Sequence, residues 1–193
     1  MKQRPILFST EMVQAILAGR KTQTRRVVKP PKGVRYYFDD GKCVLEGEDD
    51  YIDMECPYGK KGDVLWVRET HLVCHDDKFL EGMDSRVVFK ASVHNDWYMA
   101  LREENPHYKW MPSIHMNKVF ARIWLRIKDI RVERLQDISD EDIRAEGAAE
   151  FGCTTHRLNW QTLWESVNGS DSWKDNPFVW VIEFERIEKP INI

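Results

Sequence analysis

A dense run of cationic and hydroxyl side chains follows the first predicted helix. Residues 20–26 read Arg-Lys-Thr-Gln-Thr-Arg-Arg, directly after Gly19. Guanidinium, ammonium and hydroxyl groups at this density are poor material for an apolar core, and they are suited to binding an anion or holding a polar substrate. A charged run of this kind is also typical of a solvent-exposed strand edge, so the residue types alone leave both interpretations open.

Cysteine and histidine side chains give a weaker signal. The four cysteines are scattered without a closely spaced pair, and they are Cys43, Cys56, Cys74 and Cys153. In a cytoplasmic protein such cysteines are free thiols. His71, Cys74 and His75 have a spacing that metal ligands could use, but no second close pair follows, so we predict no metal site.

The charge of the chain is unevenly distributed. The formal net charge is −3, which argues against a strongly basic nucleic-acid-binding protein. Residues 1–37 nevertheless contain nine Lys or Arg and one acid, and residues 118–134 contain six Lys or Arg and two acids. If these two segments lie together they form a basic face that attracts phosphates, unless acidic side chains from elsewhere cover it.

The length of the chain, 193 residues, favours one domain spanning residues 1–193. No apolar run approaches the ~20 residues of a transmembrane helix. The N-terminal segment lacks the long apolar region of a signal peptide. We therefore expect a cytoplasmic protein with no membrane partner.

The first elements follow from apolar spacing and capping residues. A strand is predicted at Pro5–Phe8, followed by a helix whose N-cap is Ser9 or Thr10. The buried face of this helix carries Met12, Val13, Ile16 and Leu17. Gly19 suits the left-handed residue that ends a helix, so residues 21–26 leave in a new direction and in an extended conformation.

Strands alternate with short helices in the rest of the chain. Strands are predicted within 61–69, at 87–91, 120–134 and 178–186, and as a hairpin that joins 36–38 to 43–45. Helices are predicted from the capping box at Ser139 to Gly147, and over 156–168, where Trp160, Leu163, Trp164 and Val167 repeat at helical spacing. Without a regular β-α-β alternation, this pattern predicts an α+β fold.

Residues 70–117 differ in composition, and we interpret them as an insertion packed on the core, either a lid or a binding loop. Its aromatic side chains, among them Trp97 and Trp110, could stack on bases beside Arg102 and Lys109. Anchoring the insertion to the core is the commoner role of such side chains.

Three blocks of the sequence resemble the ASCH (activating signal cointegrator homology) domain family. The blocks are residues 16–26, residues 61–65, and residues 135–146 with the closing strand at 179–184. The first block carries the most specific signature, Gly-Arg-Lys-Thr-x-Thr. The resemblance implies a PUA-like β-barrel flanked by short helices. It covers the core, and residues 70–117 and the region after Gly147 are additions, which is similar to ASCH proteins carried by prophages.

Small bacterial members of this family are N4-acetylcytidine amidohydrolases, which release acetate and leave cytidine. By motif, their catalytic Lys, Thr and Glu fall on Lys21, Thr24 and Glu146, with Glu141 and Glu150 as alternatives for the Glu. In such a set Thr24 attacks the amide carbonyl and Lys21, with a lowered pKa, accepts its proton. Glu146 orients Lys21, passes a proton to the leaving amine or activates water. The set implies neither a metal nor a cofactor.

Lys21 and Thr24 point to opposite faces of a regular strand, so they converge only if the chain bends after Gly19 or if the long Lys21 side chain reaches around. Beside this set, the residues expected to bind a modified nucleoside or a nucleic acid are Arg20, Arg25, Arg26, Trp66, Arg68, His115 and Arg122.

The alternative function is a single-stranded RNA- or DNA-binding module of PUA-like type, with salt-sensitive binding through the basic face. Nuclease activity is also associated with the family. The sequence leaves open whether a free nucleoside or a modified base in RNA is the substrate, which Glu completes the site, and the oligomeric state.

Overall fold

The computed structural model describes residues 1–29, 36–39, 42–46, 51–81, 86–148 and 156–190. The strands are β1 (Gln3–Leu7), β2 (Gln23–Val27), β3 (Tyr36–Asp39), β4 (Lys42–Glu46), β5 (Tyr51–Asp53), β6 (Val64–Arg68), β7 (His71–Val73), β8 (Val87–Phe89), β9 (Trp124–Arg134) and β10 (Phe178–Ile187). The α-helices are α1 (Thr10–Leu17), α2 (Asn95–Glu104), α3 (Asp140–Ala145) and α4 (His156–Asn168).

The central element is a five-stranded mixed sheet in the order β1-β6-β9-β10-β2. β1 runs parallel to β6, and the other neighbours are antiparallel. This sheet and the short helices confirm the predicted α+β class. In the part of the chain that the structure describes, the outer strands β1 and β2 do not pair with each other, so the predicted barrel closure is not found there.

Side chains alternate between two packed faces of this sheet. On β6, Leu65 and Val67 belong to a core with Phe8 and α1, whereas Val64 and Trp66 pack on the opposite face. We call these the α1 face and the opposite face. The opposite face is covered at β10 and β2 by a second apolar cluster, which contains Trp160 and Trp164 of α4. The sheet is therefore buried on both sides.

Local sequence signals correctly predicted most helix ends. The Ser9 hydroxyl accepts a hydrogen bond from the amide of Met12 at the start of α1, and the Ser139 hydroxyl accepts one from Asp142 at the start of α3. Gly19 and Gly147 have φ of 73° and 75°, as expected of residues that end helices.

The predicted hairpin is also observed, because β3 and β4 pair antiparallel with Tyr36 opposite Leu45. Its turn at residues 40–41 lies outside the described residues. β9 begins at Trp124 rather than Phe120, because residues 118–120 form a 3-10 helix whose first turn is capped by the Asn117 side chain.

The predicted insertion contains a β7–β8 hairpin and the helix α2, with a small apolar cluster of its own. α2 was not predicted, because Leu101 is its single buried residue and its apolar periodicity is weak. The buried Glu69 carboxylate accepts two hydrogen bonds from Arg122, at 2.9 and 2.8 Å, and Arg122 also donates to Ser92 at 2.7 Å. This arginine therefore ties the insertion to the start of β9.

No helix within the described ranges has both the length and the apolar character needed to cross a lipid bilayer.

Candidate active site at the edge of the sheet

Lys21 lies in the bend between α1 and β2. After Gly19 the chain turns back on the helix, and the Lys21 amide donates to the carbonyl of Ala15 at 3.1 Å. Lys21 then forms an isolated β-bridge with Glu146, and the Thr22 amide donates to Ala145 at 2.8 Å. The end of α3 is therefore held beside Lys21 before β2 begins.

Lys21 and Glu146 form a buried ion pair. The Nζ atom of Lys21 lies 2.6 Å from Oε2 of Glu146 and 2.9 Å from its backbone oxygen. Both residues are almost inaccessible, with exposed fractions of 2% and 3%. Burial lowers the pKa of Lys21 below its usual range, and the nearby Arg26 and Arg25 act in the same direction, although Glu146 opposes them. Lys21 therefore gives up its proton more readily than a surface lysine does.

Gly147 fixes the approach of α3 to Lys21, and Gly147→Ala is expected to destabilise the protein. A Cβ atom there would lie 2.9 Å from the Cβ of Lys21 and 3.0 Å from that of Ala15. The left-handed conformation adds strain, so we expect a loss of about 2–5 kcal/mol in the free energy of unfolding. Chemical denaturation measures this loss.

Gly19→Ala is the matched control, because Gly19 has nearly the same φ and its added Cβ would meet nothing within 4 Å. We expect a loss of about 1–2 kcal/mol from backbone strain alone. Equal losses in the two variants would contradict the close approach of Gly147 to Lys21.

The second oxygen of the Glu146 carboxylate is held by Arg25. Nη1 of Arg25 lies 3.1 Å from Oε1 of Glu146, and Nη2 lies 2.9 Å from Oδ2 of Asp142. Arg25 also pairs with Glu133, and Arg131 extends the network to Asp142 and Glu133. Burial alone would raise the pKa of Asp142, but a hydrogen bond from the Gln23 side chain and the charges of Arg25 and Arg131 hold it below its usual range. Lys21 and Arg25 thus bind the two oxygens of the Glu146 carboxylate and fix its orientation.

Lys21 contacts Glu146 directly, and Thr24 lines a cavity that Glu146 also lines. Thr24 pairs with Ile182 of β10, so its side chain lies on the α1 face. The Nζ atom of Lys21 lies 5.7 Å from the centre of the Phe8 ring, which belongs to that face. Thr24 and Glu146 both line a cavity of about 20 Å³, which we call the small cavity. The chain does bend after Gly19, where Lys21 pairs with Glu146 before β2 begins. The convergence of Lys21 and Thr24 stays a prediction.

A larger cavity of about 410 Å³ adjoins the small one. Both cavities are lined by Arg25, Arg26 and Asn168, and the larger one is also lined by Tyr58 and Trp180. The Arg26 guanidinium donates to the carbonyl of Leu7 at 2.6 Å and lies 5.3 Å from the Phe8 ring. Burial lowers its pKa below the usual arginine value. The larger cavity has the volume of a small-molecule site.

Four of the sequence-predicted binding residues lie away from this site. Trp66 is on the opposite face, with the Arg68 guanidinium 5.5 Å from its ring. Arg68 donates to the carbonyl of Ile114, and Arg122 is engaged by Glu69. His115 is exposed on the insertion. The structure therefore does not bring these residues together with Lys21.

The remaining predicted residues divide between the site and the surface. Arg20 is exposed and its guanidinium lies 3.3 Å from the carbonyl of Gly147. Glu141 is exposed on α3, whereas Glu146 contacts Lys21, so geometry favours Glu146 of these two. Glu150 lies outside the described residues.

Acidic side chains pair with part of the predicted basic face. Arg25 and Arg131 are paired in the network around Asp142, and Arg122 is paired with Glu69. Arg126 lies 3.3 Å from a carboxylate oxygen of Glu185. These cations therefore have acidic partners within the described residues, which is the covered alternative for this part of the face.

The sequence did not identify Tyr58, Trp180, Trp160 and Trp164 as cavity-lining residues. The helical spacing of Trp160 and Trp164 correctly indicated burial, but spacing alone does not distinguish a core contact from the wall of a cavity. Cys56 and Cys74 are free thiols, as predicted. The described residues contain no group of three or more His, Cys, Asp or Glu side chains that could hold a metal ion.

No protein-family model matches the chain, and no curated protein matches it. Among solved structures, the chain is similar to protein EF3133 from Enterococcus faecalis V583, described as a DUF984 protein. The two sequences are 10% identical, and the match covers 100% of this chain and 84% of the other at a TM-score of 0.44. A likeness at this level does not establish a shared fold.

Proposed function

We propose that the protein is an amidohydrolase that removes the acetyl group from N4-acetylcytidine or a related acylated nucleoside. One observation carries the proposal: the Glu146 carboxylate contacts Lys21 and lines the same cavity as Thr24. The resemblance of residues 16–26 to the ASCH signature supports the same three residues and a PUA-like fold.

The reaction consumes one water and releases one acetate and one cytidine. The Thr24 hydroxyl attacks the amide carbonyl carbon, and neutral Lys21 accepts the hydroxyl proton. The C–N bond then breaks, and the proton passes through Glu146 to the leaving exocyclic nitrogen. Water next attacks the acetyl-Thr24 ester, with its proton returned through Lys21, and this step releases acetate and restores the threonine.

The position of the site gives this chemistry a hydrophobic and cationic environment. The base and ribose occupy the larger cavity, where Tyr58 and Trp180 offer aromatic surfaces. Arg26 lines both cavities and so lies where the base meets its acyl group. Its charge stabilises the oxyanion that forms when Thr24 attacks.

Incubation of the purified protein with N4-acetylcytidine tests the proposal. We expect cytidine and acetate to appear in equal amounts, followed by chromatography for the nucleoside and an enzymatic assay for acetate. No product from a protein shown to be folded by circular dichroism would contradict the proposed substrate.

Binding of single-stranded RNA or DNA is the alternative, and salt-dependent RNA binding without acetate release would favour it. This alternative relies most on Arg25, Arg26, Arg122 and Arg126, and the structure lends it less support because three of these four have carboxylate partners. These three are Arg25, Arg122 and Arg126.

The value of kcat/KM is expected to rise with pH and to level off below the ordinary lysine pKa of about 10.4. The reason is that Lys21 accepts a proton only in its neutral form, and burial lowers its pKa. The free energy of unfolding should also rise with pH. Between the lowered pKa of Lys21 in the folded protein and its ordinary pKa in the unfolded chain, only the unfolded chain keeps the proton on Lys21, so unfolding becomes less favourable as pH rises through that range.

Arg26→Met is the comparison for this profile. The charge of Arg26 lowers the pKa of Lys21, so its removal is expected to move the rising limb to higher pH. If kcat/KM rose over the same pH range in the wild type and in Arg26→Met, a group other than Lys21 would control the rate.

A further inference from the structure

Two tryptophan side chains of α4 line the small cavity, and both carry a buried indole N–H group without a hydrogen-bond partner among the described residues. Trp160 and Trp164 are 3% and 4% exposed, and their ring centres lie 6.0 Å apart. Neither indole N–H has a hydrogen-bond acceptor among the described residues. Both side chains line the small cavity, together with Thr24 and Glu146.

Buried indole N–H groups normally have an acceptor, because an unpaired donor loses its hydrogen bond to water on folding. Since the described residues supply no acceptor for these two donors, which lie on successive turns of α4, a group that enters the small cavity can supply one. The cavity volume of about 20 Å³ has room for one small group. The acceptor is therefore part of a small substituent.

The rest of the cavity wall defines the character of this substituent. Its polar side is formed by Thr24, Glu146 and the two arginines of β2, and its apolar side by Met12, Leu163 and Val167. A group with one acceptor oxygen and one small apolar end matches both sides. An acetyl group has this composition, with its carbonyl oxygen as the acceptor and its methyl group as the apolar end.

We propose that Trp160 and Trp164 form an acyl pocket, in which their indole N–H groups donate to the acyl oxygen and their rings limit the length of the acyl chain. This assignment rests on the proposed amidohydrolase function. It places the acyl carbon next to Thr24 and the remaining nucleoside in the larger cavity. Short acyl groups are accepted, and longer ones clash with the two indole rings.

Replacing each tryptophan by phenylalanine tests the hydrogen bonds. Trp160→Phe and Trp164→Phe keep an aromatic ring and remove the donor. Because each of these two variants loses one N–H group that stabilises the oxyanion, we expect kcat/KM for N4-acetylcytidine to fall by about 10²-fold in each. Trp173→Phe is the matched control, because Trp173 packs in the same apolar cluster but does not line the small cavity. Equal losses in all three variants would overturn the pocket assignment.

Acyl length provides a second kinetic readout that lost stability would not imitate. Wild-type protein is expected to prefer N4-acetylcytidine over N4-butanoylcytidine by at least about 10-fold, since the two excess methylenes must be packed against the indole rings. The smaller phenyl ring in Trp164→Phe should reduce this preference, and Trp173→Phe should leave it unchanged. An unchanged preference in Trp164→Phe would contradict the proposed wall.

Acetate binding tests the acyl pocket independently of the amidohydrolase reaction. In a ¹⁵N-labelled sample, the indole resonances of Trp160 and Trp164, identified by their absence in the phenylalanine variants, should shift when acetate is added. Shifts without turnover of N4-acetylcytidine would keep the acyl pocket and reject the nucleoside substrate. Turnover without shifts, and without an effect of the phenylalanine variants, would reject the acyl pocket alone.

Discussion

The Thr24→Val protein is expected to release cytidine from N4-acetylcytidine at least about 10³-fold more slowly than the wild type, because the attacking oxygen is removed. Valine has nearly the same shape as threonine, and Thr24 is buried in a β-strand, where valine is well tolerated. The free energy of unfolding should therefore change little. Steady-state kinetics with chromatographic detection of cytidine measures the effect.

Thr22→Val is the matched control, because Thr22 belongs to the same segment but is exposed. It is expected to retain wild-type activity, and Thr24→Ser should retain part of it because the hydroxyl is kept. Wild-type rates in Thr24→Val would show that Thr24 is not the nucleophile, even if the protein hydrolyses the substrate.

Arg25→Met is expected to reduce the free energy of unfolding by about 3–5 kcal/mol, the usual cost of removing one partner from a buried ion pair. The Arg25 side chain has no exposed surface and contacts carboxylates of Glu133, Asp142 and Glu146. Its removal leaves the Glu146 carboxylate in an apolar environment with Lys21 alone. Chemical denaturation near neutral pH measures the loss.

Arg126→Met provides the comparison, because Arg126 and its partner Glu185 have side chains that are 49% and 48% exposed. Exposed pairs of this kind contribute about 0–1 kcal/mol. Similar losses in the two variants would argue against the buried network. Arg25→Met is also expected to impair catalysis, because Glu146 loses one of the two cations that orient it.

Much of the fold was predictable because its signals are local. The bounds of α4, the caps at Ser9 and Ser139, and the glycines that end α1 and α3 are each determined by residues within one or two helical turns. α2 has no comparable signal, because its apolar residues do not form a continuous stripe.

The site was only partly predictable, because it depends on contacts between distant segments. The ASCH-like signature pointed to Lys21 and Thr24, but the choice of Glu146 over Glu141 needed the ion pair across 125 positions. The sequence placed Trp66 and Arg122 near the site by their residue types. The alternation of side chains across β6 instead puts Trp66 on the opposite face of the sheet, and Arg122 serves the buried Glu69.

The charge pattern shows the same dependence on tertiary contacts. The excess of cations in residues 1–37 and 118–134 is a property of the sequence, but its meaning depends on which acids lie nearby. Glu133, Asp142 and Glu183 converge on Arg25 and Arg131 only after β2, β9 and β10 pair. A sequence count could not distinguish this network from an open basic groove.

The rate of cytidine release from N4-acetylcytidine by the wild type and by Lys21→Met tests the central claim most directly. The measurement is made at a temperature where both proteins are folded, with the exposed Lys61→Met as the control. We predict turnover by the wild type and Lys61→Met, and loss of at least about 10³-fold in Lys21→Met. Equal rates in Lys21→Met and the wild type would contradict the claim that the buried Lys21–Glu146 pair performs the hydrolysis.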